Sequence, residues 1–418
     1  MFTVHPLGRP VASVVQVPGS KSMTNRALVA ASLAREGVSR LHRPLEADDT
    51  AAMRASLRRL GVLIDDNDDP WLVLGTGGEL ATSAAVVDVG ASGTTARFIT
   101  AVAALAPGRN VVDGTARMRQ RPIGPLVEAL VELGVAAVDD NGYPPVEIRG
   151  QGRIAGGRIR VDSTMSSQFA SALLLIAPMA DGTVEIELGG PVVSRPYLDG
   201  TVELMRAFGA EITVDGDRFT VAPTGYRKAH VDVEPDASAA VYPAVAAAIT
   251  GGAVEIPGLP VDSSQPDTAI FHVLTEMGCS VSWDDVRLRV EGPSGDLQPV
   301  DVDLTRAPDG AMAVAVAALF ADGPSVIHGL STLRLKETDR LAALETELRR
   351  VGAGTAVTGN SLHIRPGRLH GAEIQSYGDH RMAMALSLVG LVVDGVTIAD
   401  PGVVTKTWPG FFDMLGGL

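Results

Sequence analysis

Polar residues that could bind anions stand at the beginning of several Ala-rich apolar segments. The first group, Gly-Ser-Lys-Ser at 19–22 followed by Arg26, lacks the Gly-x-x-x-x-Gly-Lys spacing of a mononucleotide-binding loop. The second group, at 90–97, is rich in Gly, Ser and Thr, and a turn with three arginines follows at 117–121. Because the free N–H groups at a helix start attract anions, both groups could bind phosphate or carboxylate. A serine cap beside a surface lysine also explains the first group without a ligand, and a plain loop-to-helix turn and a solvated charged turn explain the second.

Hydroxyls, an amide and carboxylates occupy the same kind of position later in the chain. Ser166, Ser167 and Gln168 could face an oxyanion, although capping of a helix by Ser166 or Ser167 explains them almost as well. Asp236 and Asp309 each precede an apolar segment. Aspartate is among the best N-cap residues, so both could be caps or acid–base groups.

Two charged runs and the scarcity of lysine single out further candidates. Lys-Glu-Thr-Asp-Arg at 336–340 and Asp-His-Arg at 379–381 mix acids with cations, which fits either a salt-bridged helix start or a catalytic cluster. Only four of the 35 basic residues are lysines, so each lysine is a candidate for a place that needs a compact, titratable ammonium group. These lysines are Lys21, Lys228, Lys336 and Lys406.

The elements that must position these residues recur along the chain. Six segments run from a small or polar residue through an apolar stretch to a glycine, and their closing glycines lie 69 to 74 residues apart. Apolar residues cover nearly every side of each segment, which is typical of a buried helix, and a closing glycine suits a left-handed helix end. The segments are 22–37, 92–108, 166–182, 236–251, 309–323 and 379–395.

A second series of helices alternates with the first. Each is amphipathic, and most are followed by a segment with the alternation of a strand. We expect these helices to stop at Gly61, Gly134, Gly209, Gly278, Gly352 and Gly416. The two series together predict six α/β units of about 70 residues, a period too long for a common solenoid.

Composition and charge exclude several classes of protein. With 418 residues, of which 46% are hydrophobic, the chain is long enough for two or three domains and is not disordered. The net charge of −14 argues against a nucleic-acid partner, and no apolar run reaches the roughly 18–20 residues of a membrane helix. The first residues show no export signal, so we expect a cytoplasmic protein. A single cysteine, Cys279, and scattered histidines predict neither a disulfide nor a metal site.

Taken in order, the motifs resemble one enzyme family along essentially the whole chain. They are Pro-Gly-Ser-Lys-Ser at 18–22 with Asn25-Arg26, Arg-Pro-Ile-Gly at 121–124, Ser-Ser-Gln-Phe at 166–169, Lys-Glu-Thr-Asp-Arg at 336–340, Asp-His-Arg-Met-Ala-Met at 379–384 and Lys-Thr at 406–407. In these motifs the chain is similar to the 5-enolpyruvylshikimate-3-phosphate (EPSP) synthases. The resemblance implies an α/β fold of two similar domains, each of three βαβαββ units around a pseudo-threefold axis with buried parallel helices. One domain would hold residues 1–20 and 232–418, and the other 21–231.

The reaction that this resemblance implies transfers the enolpyruvyl group of phosphoenolpyruvate to the 5-hydroxyl of shikimate 3-phosphate and releases phosphate. It would proceed by addition and elimination through a tetrahedral intermediate, in the biosynthesis of chorismate and the aromatic amino acids. No cofactor, metal, nucleic acid or membrane is implied, and a monomer is expected. The implied catalytic residues are Asp309, Glu337 and Lys21, with Asp309 as the base. The group that protonates the methylene carbon stays open.

The same resemblance implies two overlapping sets of substrate contacts. Shikimate 3-phosphate would contact Lys21, Ser22, Arg26, Ser166, Ser167, Gln168, Ser194, Tyr197, Asp309 and Lys336. Phosphoenolpyruvate would contact Lys21, Gly93, Arg121, Gln168, Arg340, Arg381 and Lys406. Each substrate carries a phosphate and a carboxylate, which arginine side chains and helix starts can bind. We therefore expect the scattered cations to meet in one pocket.

Two positions depart from the pattern of the family. Ala91 stands where many members have an asparagine in the phosphoenolpyruvate site. Thr332 replaces an asparagine that touches the phosphate of shikimate 3-phosphate in the family. Both changes affect binding, and they leave the response to the family's inhibitor glyphosate open.

Two other functions stay open beside this interpretation. The sister enzyme that transfers enolpyruvate to UDP-N-acetylglucosamine usually has a reactive loop cysteine in the first half of its chain, whereas Cys279 lies far downstream. Some of its members have aspartate there, so the missing cysteine does not decide the matter. A non-catalytic anion-binding relative would be indicated by loss of Asp309, Glu337 or Lys21, and all three are present.

Overall fold

The computed structural model describes residues 1–35, 37–81, 86–284 and 286–418. By its internal contacts the chain divides into two compact units. Unit 1 consists of Met1–Pro18 and Glu234–Leu418, and unit 2 is Gly19–Val233. The assignment of domains to residues 1–20 with 232–418 and to 21–231, and the pseudo-threefold axis within each, stay predictions.

The fold is α/β, as expected, and its helices come from both sequence series. The α-helices of the described residues are α1 (Lys21–Leu33), α2 (Asp48–Arg59), α3 (Gly93–Ala103), α4 (Gly124–Glu132), α5 (Gln168–Ile176), α6 (Pro196–Ala207), α7 (Ala237–Thr250), α8 (Ala269–Glu276), α9 (Ala311–Ala317), α10 (Arg340–Arg350), α11 (His380–Ser387) and α12 (Phe411–Gly416).

Short strands separate these helices. They are β1 (Phe2–Thr3), β2 (Ala12–Val14), β3 (Ala34–Arg35), β4 (Val38–His42), β5 (Leu63–Asp65), β6 (Trp71–Leu74), β7 (Val86–Asp88), β8 (Gly108–Asp113), β9 (Ala136–Asp140), β10 (Tyr143–Gly150), β11 (Gly157–Asp162), β12 (Val184–Gly189), β13 (Ile212–Asp215), β14 (Arg218–Val221), β15 (Tyr226–Arg227), β16 (His230–Asp232), β17 (Ala253–Pro257), β18 (Ser280–Asp284), β19 (Arg287–Glu291), β20 (Asp301–Asp303), β21 (Ser325–His328), β22 (Gly354–Thr358), β23 (Ser361–Arg365), β24 (Glu373–Ile374) and β25 (Thr397–Ile398).

Unit 2 contains four-stranded sheets in which a parallel pair is extended by antiparallel strands. The sheet β7-β8-β10-β9 and the sheet β11-β12-β14-β13 each follow the chain order βαβαββ. In the sheet β16-β4-β6-β5, the last strand of the unit, β16, pairs in parallel with β4 near its start. The first and last parts of unit 2 are therefore paired within the same sheet.

Unit 1 repeats this plan with strands from both ends of the chain. The N-terminal strand β2 pairs in parallel with β17 in the sheet β18-β19-β17-β2, and β20-β21-β23-β22 again follows the order βαβαββ. The remaining sheet, β1-β25-β24, joins the first strand of the chain to the last two strands. The N-terminal segment is thus part of the fold of unit 1.

The helices of the first series are buried, as predicted. Every residue of α3, α9 and α11 is buried, and so is nearly all of α5 and α7. Their side chains build one hydrophobic core in each unit. Polar residues at the first turns of these helices are consequently held by rigid, fully packed elements.

The predicted glycine stops are correct for most helices of the second series and wrong for most of the first. Five second-series glycines directly follow the C-cap residue of their helix with φ between 82° and 105°, whereas Gly416 is itself the last residue of α12. In the first series only Gly251 ends its helix, at φ 65°. The helices α5, α9 and α11 instead tighten into 3₁₀ turns before their glycines, which gives their last carbonyls other donors.

Within the described ranges, no helix combines the length and the apolar character needed to cross a membrane.

Candidate functional site

The first cluster of charged side chains lies in unit 1 and is built from four helix ends. Asp309 belongs to the 3₁₀ turn Pro308–Gly310 that leads into α9, and Arg340 is the first residue of α10. Asp379 caps α11, whose second residue is Arg381. Lys406 ends the 3₁₀ helix Pro401–Lys406. Residues far apart in sequence are brought together because each stands at the end of an element that packs in the same core.

Arg340 is the central cation of this cluster. Its side chain is 2% exposed, and its guanidinium donates to both oxygens of Asp379, at 2.6 Å to Oδ2 and 3.2 Å to Oδ1. It also donates to Asp309 Oδ1 at 2.9 Å and to Glu337 Oε2 at 2.8 Å. Although burial by itself would lower the pKa of Arg340, the three carboxylates raise it above its usual value. Arg340 therefore fixes the three acids of the cluster in place.

Asp309 is surrounded by cations. Lys336 Nζ lies 3.1 Å from its Oδ1, and Arg381 Nη2 lies 3.3 Å from its Oδ2, in addition to Arg340. The residue that caps α9 is Gly310, so the interpretation of Asp309 as the helix cap is wrong. The side chain keeps 13% of its surface exposed, which allows contact with a ligand. Asp309 is therefore a partly accessible carboxylate with three cations beside it.

Glu337 and Lys406 form the other edge of the cluster. Lys406 Nζ lies 3.7 Å from Glu337 Oε1, while Glu337 Oε2 accepts from Arg340. Burial is the main cause that lowers the pKa of Lys336, and the nearby Arg340 adds to it, whereas Asp309 and Glu337 oppose the shift. Two lysines, two arginines and several carboxylates thus lie within one small region of unit 1.

Asp267 is a carboxylate of this region that the sequence analysis missed. It is 1% exposed, its Oδ2 accepts from the Ser238 hydroxyl, and its Oδ1 has no hydrogen-bond partner. Burial raises its pKa to about 6, against the attraction of Arg381 and together with repulsion from Asp309 and Asp236. No sequence signal marked it, because it stands in the 3₁₀ turn Pro266–Thr268, which the periodicity did not show.

Replacing Asp267 with asparagine is expected to change how stability depends on pH. Because its folded-state pKa lies above the usual 3.8, protonated Asp267 favours folding, and this contribution is lost as the pH rises through about 6. Asparagine cannot ionise, so the variant should gain on the order of 3 kcal/mol relative to the parent between about pH 4 and pH 7.5. Urea unfolding of both proteins at the two pH values measures this difference. Parallel pH profiles would contradict the prediction.

The second cluster lies in unit 2, at the starts of α1, α3 and α5. Lys21 is the first residue of α1, which is capped by Ser20, and its Nζ lies 3.1 Å from Asp49 Oδ2. The backbone oxygen of Asp49 accepts from Thr95 Oγ1 at 3.3 Å, which connects the start of α1 to that of α3. Asp49 is 3% exposed and was also missed, because it reads as an ordinary acidic first turn of α2.

Gly93 and Arg121 are neighbours, although 28 residues separate them. A Cβ atom at position 93 would collide with the guanidinium of Arg121 where it now lies, so glycine lets this cation stand directly at the start of α3. Arg121 is 7% exposed. Beside it, Gln168 Nε2 donates to Thr94 Oγ1 at 3.3 Å, which joins the starts of α3 and α5. A cation, an amide and two helix starts therefore stand together in unit 2.

Arg26 lies one turn into α1 and is enclosed by polar groups of α5 and α6. Its Nε donates to Thr201 Oγ1 at 2.7 Å, and its Nη2 donates to Ser171 Oγ and to the Tyr197 carbonyl, both at 3.4 Å. Burial lowers the pKa of Arg26 to about 10, against a smaller opposing effect of Tyr197. The Phe98 ring lies 5.2 Å from the guanidinium carbon. This arginine is a largely desolvated cation.

The remaining residues expected at the site differ in their local roles. Ser166 Oγ accepts from Gln168 N at 3.2 Å, while Ser167 precedes α5 without a side-chain cap, so capping applies to Ser166 alone. Ser194 is buried at φ 54°, and Tyr197 stands in the first turn of α6. Ser22 is half-buried beside Lys21.

Three further positions can be placed. Asp236 is the cap of α7, with Ala239 N donating to its Oδ1 at 3.1 Å, as the capping interpretation predicts. Thr332 is 7% exposed, and its hydroxyl has no hydrogen-bond partner. Cys279 is buried, and burial raises the pKa of its thiol to about 11, so it is not a reactive thiolate. In the part of the chain that the structure describes, no three His, Cys, Asp or Glu side chains are grouped as metal ligands would be.

Sequence comparison identifies relatives along the full length of the chain. The family model of "EPSP synthase (3-phosphoshikimate 1-carboxyvinyltransferase)" matches residues 7–415. A 3-phosphoshikimate 1-carboxyvinyltransferase of Rhizobium leguminosarum bv. trifolii is 41% identical over 426 aligned residues, which cover 100% of this chain and 97% of the relative. One from Serratia proteamaculans is 42% identical over 419, covering 97% of each.

Comparison with solved structures gives the same result for the fold. An EPSP synthase from Acinetobacter baumannii superposes with a TM-score of 0.83 at 26% identity, over 100% of this chain and 97% of that one. The enolpyruvyl transferase NikO from Streptomyces tendae has a TM-score of 0.79 at 18% identity, over 100% of this chain and 97% of that one, which is a likeness of fold alone.

Proposed function

The chain belongs to the EPSP synthase family, and from this premise we propose how its side chains transfer enolpyruvate from phosphoenolpyruvate to shikimate 3-phosphate. The transfer is a step in the biosynthesis of the aromatic amino acids. One observation carries the proposal: Asp309 is held by Lys336, Arg340 and Arg381, within 3.3 Å of each. The hydroxyl nucleophile requires a proton acceptor, and the anionic co-substrate requires cations. A carboxylate beside three cations provides both.

We assign the recognition of shikimate 3-phosphate mainly to polar groups at the helix starts of unit 2. The desolvated Arg26 and the hydroxyl-rich start of α5 offer donors to a phosphate, since charge-assisted hydrogen bonds are strongest where water is excluded. The proposed contacts are Lys21, Ser22, Arg26, Ser166, Ser167, Gln168, Ser194, Tyr197, Asp309 and Lys336.

Phosphoenolpyruvate is assigned mainly to arginine and lysine side chains. Its phosphate and carboxylate need several positive charges, which arginine side chains supply in a forked geometry. The proposed contacts are Lys21, Gly93, Arg121, Gln168, Arg340, Arg381 and Lys406. Because Arg340 already binds three carboxylates, its effect on the substrate is mainly to hold Asp309 and Glu337 in position.

Asp309 is proposed as the base of the addition step. The 5-oxygen of shikimate 3-phosphate forms a bond to C2 of phosphoenolpyruvate as Asp309 takes the hydroxyl proton, and a proton is added to the methylene carbon C3. Three adjacent cations make an isolated carboxylate a weak base. Binding of the substrate phosphates and carboxylates offsets that positive charge, which favours transfer of the hydroxyl proton to Asp309.

Glu337 and Lys21 are proposed for the remaining proton transfers. In the elimination step the methyl carbon loses a proton, the C–O bond to phosphate breaks, and inorganic phosphate leaves with the bonding electrons. Glu337 stands between Arg340 and Lys406, and Lys21 is paired with Asp49. Each is an ionisable group beside a partner of opposite charge and could give or take one proton.

Phosphate release is the direct test of this function. Purified protein with shikimate 3-phosphate and phosphoenolpyruvate should release inorganic phosphate and form the enol ether product. Omitting either substrate is the control. Turnover with UDP-N-acetylglucosamine in place of shikimate 3-phosphate would overturn the assignment in favour of the sister enzyme. Tight binding of both substrates without turnover would indicate a non-catalytic relative.

Substitution of Gly93 by alanine should weaken binding of phosphoenolpyruvate. The added Cβ would displace the Arg121 guanidinium, and loss of one charged contact should raise KM for phosphoenolpyruvate by about 10-fold or more, with KM for shikimate 3-phosphate within about twofold. Gly182→Ala is the matched control in unit 2, because its Cβ would meet only ordinary contacts, the nearest at 3.6 Å. Equal KM values for the two variants would remove Arg121 from the proposed contacts.

The proposal also includes a monomer that acts in the cytoplasm without a cofactor. No step above needs a redox group or a metal, since the addition forms one C–O bond, the elimination breaks another to release phosphate, and otherwise only protons move. Sedimentation equilibrium of the purified chain should give the mass of a monomer. Protein treated with a metal chelator should keep full activity in the phosphate-release assay.

A further inference from the structure

The turn that leads into α11 has an unfavourable backbone for the residue at its centre. Asp379 N donates to Ser376 O at 2.9 Å across this turn, and its two central residues, Tyr377 and Gly378, have φ of 56° and 66°. Two consecutive positive φ angles favour Asn, Asp and Gly, whereas a bulky side chain is strained there. Tyr377 nevertheless stands there, and its hydroxyl makes one specific contact.

That contact is Glu347, a carboxylate outside both clusters. The Tyr377 hydroxyl donates to Glu347 Oε1 at 2.6 Å. Glu347 Oε2 accepts from Gln375 N at 3.2 Å and lies 3.0 Å from Arg350 Nε. The carboxylate is 0% exposed, and both its oxygens are satisfied. Burial and the hydrogen bond with Glu347 raise the pKa of Tyr377 to about 12, so the phenol remains a donor throughout the neutral range.

Helix α10 connects this contact to the cluster of unit 1. Arg340 and Glu347 are seven residues apart on α10, which places them on the same side of the helix about two turns from each other. Arg340 binds Asp379 at one end of the 376–379 turn, and Glu347 binds Tyr377 and Gln375 at the other. The turn is thus attached to α10 at two separate points.

We propose that Tyr377 and Glu347 are positioning residues for phosphoenolpyruvate binding: their hydrogen bond fixes the 376–379 turn, and so sets where Asp379 and Arg381 stand. The inference rests on the proposed function, because phosphoenolpyruvate is assigned there to Arg381. Asp379 accepts from Arg381 N at 2.9 Å and from Arg340, so any movement of the turn reaches both arginines.

Tyr377→Phe tests this role with little change in shape. The variant keeps the ring but loses the hydroxyl, so KM for phosphoenolpyruvate should rise about fivefold to 10-fold. KM for shikimate 3-phosphate should stay within about twofold, and kcat should fall less than about threefold. Hydrogen exchange of the amides of residues 378–382 should become faster in the same variant. A merely structural tyrosine would change stability without this selective loss.

Tyr226→Phe is the matched control. It also removes one phenol hydroxyl, here a fully buried one that donates to Leu175 O at 2.9 Å in unit 2, far along α5 from its start, whereas Tyr377 is 41% exposed. This variant should lose stability and keep both KM values.

Tyr377→Asn separates the hydrogen bond from the backbone. Asparagine suits positive φ better than tyrosine. If only the backbone conformation of the turn matters, this variant should have the same KM for phosphoenolpyruvate as the parent. If the hydrogen bond to Glu347 matters, its KM for phosphoenolpyruvate should rise as in Tyr377→Phe. Glu347→Gln should reproduce the same selective change, although it also removes the ion pair with Arg350. The double variant Glu347→Gln/Tyr377→Phe should be no worse than the more impaired single variant, since both substitutions act on the one hydrogen bond between these residues.

The outcomes distinguish this inference from the proposed function. A parent enzyme that turns over both substrates, with unchanged KM for phosphoenolpyruvate in Tyr377→Phe, would overturn the positioning role alone. A parent enzyme without turnover would overturn the proposed function, and the exchange rates of residues 378–382 would still report whether the contact with Glu347 fixes the turn.

Discussion

Replacing Asp309 with alanine is expected to lower kcat by roughly 10²-fold or more, because the addition step loses its proton acceptor. The side chain is 13% exposed and lies within 3.3 Å of Lys336, Arg340 and Arg381. Steady-state phosphate release at saturating substrates measures kcat. It separates this effect from the weaker substrate binding that the same variant should show.

Asparagine at position 309 refines the test. Asp309→Asn keeps the shape and one oxygen acceptor but cannot take a proton, so its kcat should be about as low as that of Asp309→Ala. Asp303→Asn, at the exposed end of β20, is the control and should behave as the parent. A nearly normal kcat in Asp309→Asn would reassign Asp309 to holding the cations in place.

Loss of Arg340 should have the largest effect on stability. Arg340→Leu leaves Asp379, Asp309 and Glu337 without their shared partner, and removing one member of a buried ion-pair network costs about 3–5 kcal/mol. Asp379 is 0% exposed and is affected most. Urea unfolding at neutral pH gives the difference in free energy, and activity should be abolished together with it.

The pH dependence of this loss follows from the charges. Arg340 stays protonated at every pH below its usual pKa, since the carboxylates raise that pKa further. The destabilisation comes from ionised carboxylates without a partner, so it should be greater near pH 8 than near pH 5, where they begin to protonate. Arg349→Leu on the same helix is the control: Arg349 is 54% exposed and pairs with Glu345, so its loss should cost less than about 0.5 kcal/mol. A similar loss in both variants would contradict the network.

Much of the secondary structure was predictable, because it depends on local patterns. The Ala-rich segments became buried helices, and glycines such as Gly134 and Gly209 end amphipathic helices at positive φ. The predicted helix ends were wrong where the residues near the end did not determine it. Helix α11 ends at Ser387 in a 3₁₀ turn, eight residues before Gly395, because tertiary packing and not the glycine sets its end.

The site was predictable where a motif is contiguous and unpredictable where contacts are distant. Asp267, Asp49 and Glu347 carry no local signal, since each looks like an ordinary acid in a turn or a helix. Their importance comes from burial at 1%, 3% and 0% and from partners on other elements. The capping alternative for Asp309 was likewise open until Gly310 was found at the cap of α9.

The amino-acid sequence by itself determined the repeated helices, the family and the residues that carry charge, because periodicity and motifs are local properties of the chain. Only the tertiary structure decided which charges neutralise one another. Arg340, which is also a proposed contact of phosphoenolpyruvate, binds three carboxylates and so organises the acids of unit 1. The physical reason is that ion pairing depends on distance and burial in space, which a linear order of residues does not contain.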